Sequence, residues 1–100
     1  MIIYNVTIKI DHEVHDPWLE WMRCTHLPEV LATGCFTEHR ILKLKLDEED
    51  GVTYAIQYSC ESMETLEHYQ TVHGPGLRNK TDELFKDKYV GIRTILEVID

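Results

Sequence analysis

Ile2, Tyr4, Val6, Ile8 and Ile10 alternate with Asn5, Thr7 and Lys9, a period of two that predicts a strand with one apolar face. At His15-Asp16-Pro17 the pattern changes to that of a helix. Asp16 is placed to accept a hydrogen bond from an orphan backbone N–H, and Pro17, at the first helical position, forfeits no needed donor. Trp18, Leu19, Met22 and His26 then share one helical face, with Glu20 and Arg23 pointing away. Pro28 predicts a kink or restart, and Thr33-Gly34 a stop. Alternation returns from Cys35 to Leu46 and resumes from Val52 to Cys60, with the acidic turn Asp47-Glu48-Glu49-Asp50-Gly51 between them. Its Asp-Gly pair favours positive φ, so the two segments read as a hairpin. Ser62 opens a second helical stretch carrying Met63, Leu66, Tyr69 and Val72. His73-Gly74-Pro75-Gly76 is expected to interrupt it before a shorter segment around Leu84 and Phe85. Ile92, Leu96 and Val98 mark a last strand.

The order β, α, β, β, α, β predicts an α+β fold of the ferredoxin-like kind: a four-stranded antiparallel sheet with two helices on one face, in a single domain over residues 1–100. In all four strands the even-numbered positions look more apolar, so the helices are expected to cover that face. The opposite face, with Asn5, Thr7, Lys9, His39, Ile41, Gln57, Arg93 and Ile95 among others, is mixed, which suits a sheet that meets a second copy of itself. A symmetric hairpin would set Leu44 opposite Tyr54, Leu42 opposite Ile56, Arg40 opposite Tyr58 and Glu38 opposite Cys60.

Charge narrows the partners. Ten Lys and Arg against 18 Asp and Glu leave a formal charge of −8, and no basic run offsets it. Such a chain repels a polyphosphate backbone or an anionic bilayer, so neither nucleic acid nor a membrane is expected as a partner. The alternating N-terminus does not resemble a signal peptide, and no apolar run approaches the ~20 residues of a membrane helix. Cys24, Cys35 and Cys60 form an odd set without CxxC spacing, as expected of small buried thiols in a reducing cytoplasm.

The segment Trp18 to Phe36, WLEWMRCTHLPEVLATGCF, followed by Arg40, resembles the dimeric α+β barrel superfamily: a Trp-bearing helix, a His-[IL]-Pro turn, a leucine pair and a Gly-x-Phe leading into the second strand. In length and element order the whole chain is similar to a family of small bacterial proteins of unknown function within it. The resemblance implies a homodimer with sheets back to back and a pocket between sheet and helices in each subunit. Its wider relatives include cofactor-independent monooxygenases of antibiotic biosynthesis, muconolactone isomerase and chlorite dismutase. Heme-binding members, with larger domains, match less well. Only the His26-Leu27-Pro28 turn and its surroundings match residue by residue, so no single chemistry is carried over.

The candidate site follows from the expected register. Glu38, Arg40, Tyr58, Tyr4 and His26 would meet at one rim of the helix–sheet layer, with Trp18 and Met22 as apolar walls. There Arg40 would supply an anion-directed fork, Tyr58 a phenolic donor and His26 a general acid or base. Alternatively Glu38 and Arg40 form a rim salt bridge, His26 packs the helix end and the tryptophans are core. His12 and His15 lack a second ligand pair at a zinc-site spacing, and neither metal nor cofactor is expected. Two functions remain. A homodimeric small-molecule-binding protein, of which a cofactor-independent monooxygenase or isomerase would be the enzymatic form, needs an open cavity of several hundred Å³. A non-catalytic structural or regulatory dimer needs none, with Trp18, Met22 and Phe85 filling the space.

Overall fold

The computed structural model describes residues 1–100. Strand β1 (Ile2–Ile10) leads through a 3-10 turn (His12–Val14) into a helix of three pieces: α1 (His15–Trp21), a π-turn (Met22–His26) and α2 (Leu27–Ala32). Strands β2 (Glu38–Lys43) and β3 (Val52–Cys60) follow. A second composite helix comprises α3 (Met63–His68), a π-turn (Tyr69–His73) and α4 (Gly74–Phe85), and β4 (Tyr89–Glu97) completes the chain. The strands pair antiparallel in the order β2-β3-β1-β4, the ferredoxin-like βαββαβ topology expected from the sequence.

Caps and prolines shape the helices. Ser62 Oγ accepts from the Thr65 N–H at 3.2 Å, as a helix-opening serine should. At the first helix the cap is Asp11 and not Asp16: the Asp11 carboxylate accepts from the Glu13 N–H at 3.0 Å, one 3-10 turn earlier, which frees Asp16 to bond His15 Nδ1 at 2.8 Å. The prolines break neither helix. The Leu27 N–H reaches back to the Met22 carbonyl and the Gly74 N–H to the Tyr69 carbonyl, five residues instead of four, and Pro28 and Pro75 each follow by one residue. A proline lacks the N–H for the carbonyl four residues back and its ring collides with it; widening the turn absorbs both defects. Gly34, at φ 77°, ends the first helix as expected.

The register separates central from edge strands. Between β1 and β3 even residues pair with even, Tyr4 with Tyr58, Val6 with Ile56 and Ile8 with Tyr54, and Tyr4, Ile8, Tyr54, Ile56 and Tyr58 are buried in the core with Trp18, Met22, Leu66 and Tyr69 from the helices. The edges are offset by one. His39, Ile41 and Lys43 of β2 oppose Tyr58, Ile56 and Tyr54, while Tyr89, Gly91, Arg93 and Ile95 of β4 oppose Ile10, Ile8, Val6 and Tyr4. Even parity therefore holds for β1 and β3 and fails for β2 and β4, and none of the four expected pairs of Glu38, Arg40, Leu42 and Leu44 forms. A one-residue slip sends a whole strand's side chains to the other face.

The cause at β2 is the acidic loop, which does not close as a symmetric hairpin. Lys9 Nζ lies 2.7 Å from Asp50 Oδ1 and 3.5 Å from Glu48 Oε1, and Thr53 Oγ1 donates to the Glu48 carboxylate at 2.9 and 3.1 Å. These contacts fold the loop back onto β1 and β3. Gly51 is required for this close approach and not for positive φ, since a Cβ there would lie 2.6 Å from the Ile10 carbonyl oxygen. Gly51→Ala is expected to cost about 1–3 kcal/mol, the range for overpacking, read as a lower urea midpoint at unchanged m-value. An unchanged midpoint would contradict the tight approach.

Candidate functional site

Because β1 and β3 carry tyrosines at Tyr4 and Tyr58 and the second π-turn adds Tyr69, the core beneath the helices is aromatic. Phe36 completes a group with ring centroids 4.8–6.4 Å apart. Beside it a cavity of about 60 Å³ is lined by the inward faces of β1, β3 and β4 and by both composite helices, with Met22, His26, Tyr69, Arg78, Tyr89 and Arg93 among its walls. It runs from the buried Tyr4 and Tyr58 to the exposed Arg78, Gly91 and Arg93, and so opens between α4 and β4.

His26 ends the first π-turn. Its ring stacks on Trp21 at 4.8 Å, and Trp21 in turn leans on Phe85. Burial lowers its pKa from 6.5 to about 4, with Glu29 pulling weakly upward and Lys80 downward; those two residues tie the helices together by an ion pair of 2.6 Å. The imidazole is therefore neutral near pH 7 and can accept a proton. Burial also raises the phenol pKa of Tyr58, and that of Tyr69 to about 12. Tyr89 is likewise raised to about 12 by burial and by the Asp82 carboxylate, which accepts its O–H. All three phenols remain neutral hydrogen-bond donors.

Of the residues singled out from sequence, Tyr4, Met22, His26 and Tyr58 line the cavity together. Trp18 does not: it is wholly buried against Tyr54 at 5.2 Å. Glu38 and Arg40 lie on the opposite face of the sheet, where Arg40 donates to Gln57 Oε1 at 3.1 Å, so the expected rim of Glu38, Arg40, Tyr58 and His26 does not form. The one-residue offset of β2 is the reason. The same offset at β4 brings in Arg93, which even parity places outside, and Arg78 joins it from α4. The available signal was Arg93 as a lone charge in the apolar run Val90-Gly91-Ile92-Arg93-Thr94-Ile95. A second unforeseen arrangement, Asp16 to His15 Nδ1 and His15 Nε2 to the Tyr54 hydroxyl at 2.7 Å, lies outside the cavity and steadies the core.

The fold is that of the ferredoxin-like α+β proteins that include monooxygenases of the antibiotic-biosynthesis type. The chain belongs to the family described as domain of unknown function DUF4286, whose model matches residues 1–99. No curated protein matches it in sequence. Among solved structures it is similar to a dimeric ferredoxin-like protein from an uncultured marine organism, at 12% identity and TM-score 0.68, covering 100% of this chain and 96% of that one. It is similar to SnoaB, a cofactor-independent oxygenase from Streptomyces nogalater, at 11% identity and TM-score 0.71, covering 99% and 94%. It is also similar to a mutant of MhuD with two manganese protoporphyrin IX bound per active site, at 17% identity and TM-score 0.69, covering 99% and 95%. Size therefore does not set porphyrin binders apart from this chain. The cavity of this chain, at about 60 Å³, lies well below the ~300–1,000 Å³ typical of larger ligand sites.

The half-buried imidazole links the site to stability. Below its ordinary pKa of 6.5 His26 is protonated in the unfolded chain but stays neutral in the fold until about pH 4, so its contribution is present above pH 6.5 and is lost as pH falls through 4. The full loss is roughly 3 kcal/mol. His26→Gln is expected to flatten the decline of unfolding free energy between pH 6.5 and 4; a parallel decline in both proteins would contradict a buried neutral imidazole.

Proposed function

We propose that the protein is a homodimeric, cytoplasmic small-molecule-binding protein whose ligand enters the cavity between the helices and the sheet. The observation that carries this reading is the His26 imidazole lining a cavity with an aromatic wall and an open mouth. Chemistry available without a cofactor is proton transfer: His26 accepts a proton from a bound acid while Tyr58 or Tyr69 donates a hydrogen bond to the charge that develops. That is the starting step required of a monooxygenase or isomerase acting without a cofactor, and the likeness to SnoaB supports the reading. Three free cysteines fit a reducing compartment, although only Cys35 and Cys60 are buried and Cys24, expected to be a buried thiol, is exposed.

The dimer is supported by β4. Every residue from Val90 to Asp100 is exposed, although the face of β4 away from the helices is apolar: Val90 is 68%, Ile92 62% and Leu96 43% exposed there. Leu42 of β2 adds an exposed apolar side chain to the same outer face. An apolar face left open on an edge strand is one that becomes covered. The likeness to a dimeric ferredoxin-like protein points to a second copy as the cover.

The cavity volume favours a second reading in one respect. At about 60 Å³ it has room for roughly two water molecules, so a larger ligand must part α4 from β4. A non-catalytic dimer has no such requirement. Light scattering at micromolar concentration is expected to give twice the chain mass, and Ile92→Lys to give a folded monomer; a monomeric parent would overturn the dimer. A panel of aromatic metabolites is expected to raise the parent's Tm by several degrees at 100 times Kd, and Leu77→Trp, which crowds the cavity, to abolish the shift. If no compound moves either protein, the non-catalytic reading stands instead.

A further inference from the structure

Arg78 and Arg93 both line the cavity and are both exposed, one on α4 and one on the inward face of β4. No carboxylate lies within 4.0 Å of either guanidinium: the ion pairs of the chain use Lys9, His15, Lys80 and Lys88. The cavity lining contains no Asp or Glu at all. In a chain of formal charge −8, two arginines without acidic partners at one opening form a local positive site. Asp82, four residues after Arg78 on α4, already accepts the Tyr89 O–H. Both arginines are close enough to lower the phenol pKa of Tyr69 and of Tyr89, which places their charge over the aromatic wall. His26, being neutral, neither adds to that charge nor repels an anion.

We infer that the ligand is a small aromatic anion, its carboxylate or enolate held by Arg78 and Arg93 at the α4–β4 opening and its ring directed inward against Tyr69, Tyr4 and Tyr58. This rests on the proposed ligand-binding role of the cavity and adds the charge and orientation of what binds. The planar guanidinium suits a carboxylate because it presents two parallel N–H donors, and two such groups on separate elements hold an anion without closing the mouth. The inward end of the ligand would then lie on the His26 side, with its charged end at the surface.

The test uses matched acids and amides: benzoate against benzamide, and 1-naphthoate against 1-naphthamide, titrated into the full chain and followed by two-dimensional NMR including the arginine Nε–H signals. Each acid is expected to bind at least tenfold more tightly than its amide and to shift the Arg78 and Arg93 signals. Arg93→Gln and Arg78→Gln should each weaken acid binding far more than amide binding and so remove most of that preference, and Arg23→Gln, on an exposed helix face, should leave it intact. Equal affinity for acid and amide, with shifts at Tyr69 and His26, would overturn the inference while the ligand-binding cavity survived. Absence of binding by all four probes up to millimolar concentration would overturn both. A preference for acids that persists in both arginine variants would place the anion elsewhere and overturn this assignment alone.

Discussion

The pairing of β4 with β1, with Arg93 opposite Val6 and Gly91 opposite Ile8, determines what the cavity is made of. This register turns the odd positions of β4 toward the helices, so the inward row reads Tyr89, Gly91, Arg93. Gly91 contributes no side chain to that row, Tyr89 closes one side, and Arg93 brings charge to the opening. Shifted by one residue, the strand would present Val90, Ile92 and Thr94 there, and the space beneath α4 would be a filled apolar edge.

The helices contribute through a shared irregularity. Each contains a histidine followed two residues later by proline, His26-Leu27-Pro28 and His73-Gly74-Pro75, and each answers the proline with a π-turn. The wider turns lie directly over the central strands and place Met22, His26 and Tyr69 on the cavity wall. The burial that keeps His26 neutral is thus a consequence of helix geometry, and the Glu29–Lys80 ion pair fastens the two helices on either side of it.

Charge and apolar surface are divided between the faces of the sheet. Beneath the helices the opening carries Arg78 and Arg93. On the outer face Lys9 draws in the acidic loop, while Val90, Ile92 and Leu42 remain uncovered. A second copy seated on that outer face, as proposed, would bury the apolar rows and leave the α4–β4 opening on the far side of the sheet free for ligand.

Much of this was legible in the chain. The order of elements, the inward faces of β1 and β3, Ser62 as a cap, Gly34 as a stop, and Tyr4, Met22, His26 and Tyr58 as neighbours all follow from local periodicity and chemistry, because each depends on residues close in sequence or on strands with one strongly apolar face. Arg40 and Glu38 were misplaced and Arg93 missed for a physical reason. Alternation shows that a strand has two unlike sides, but an edge strand destined to be covered from outside can turn its apolar side away from the helices. Which side faces inward is decided by register, set at β2 by Lys9 and Thr53 gripping a loop about 40 residues from Lys9, and at β4 by pairing across most of the chain. The amino-acid order by itself determined the elements and their two faces; only the tertiary structure decided which face of each edge strand meets the cavity, because that choice is made between residues far apart along the chain.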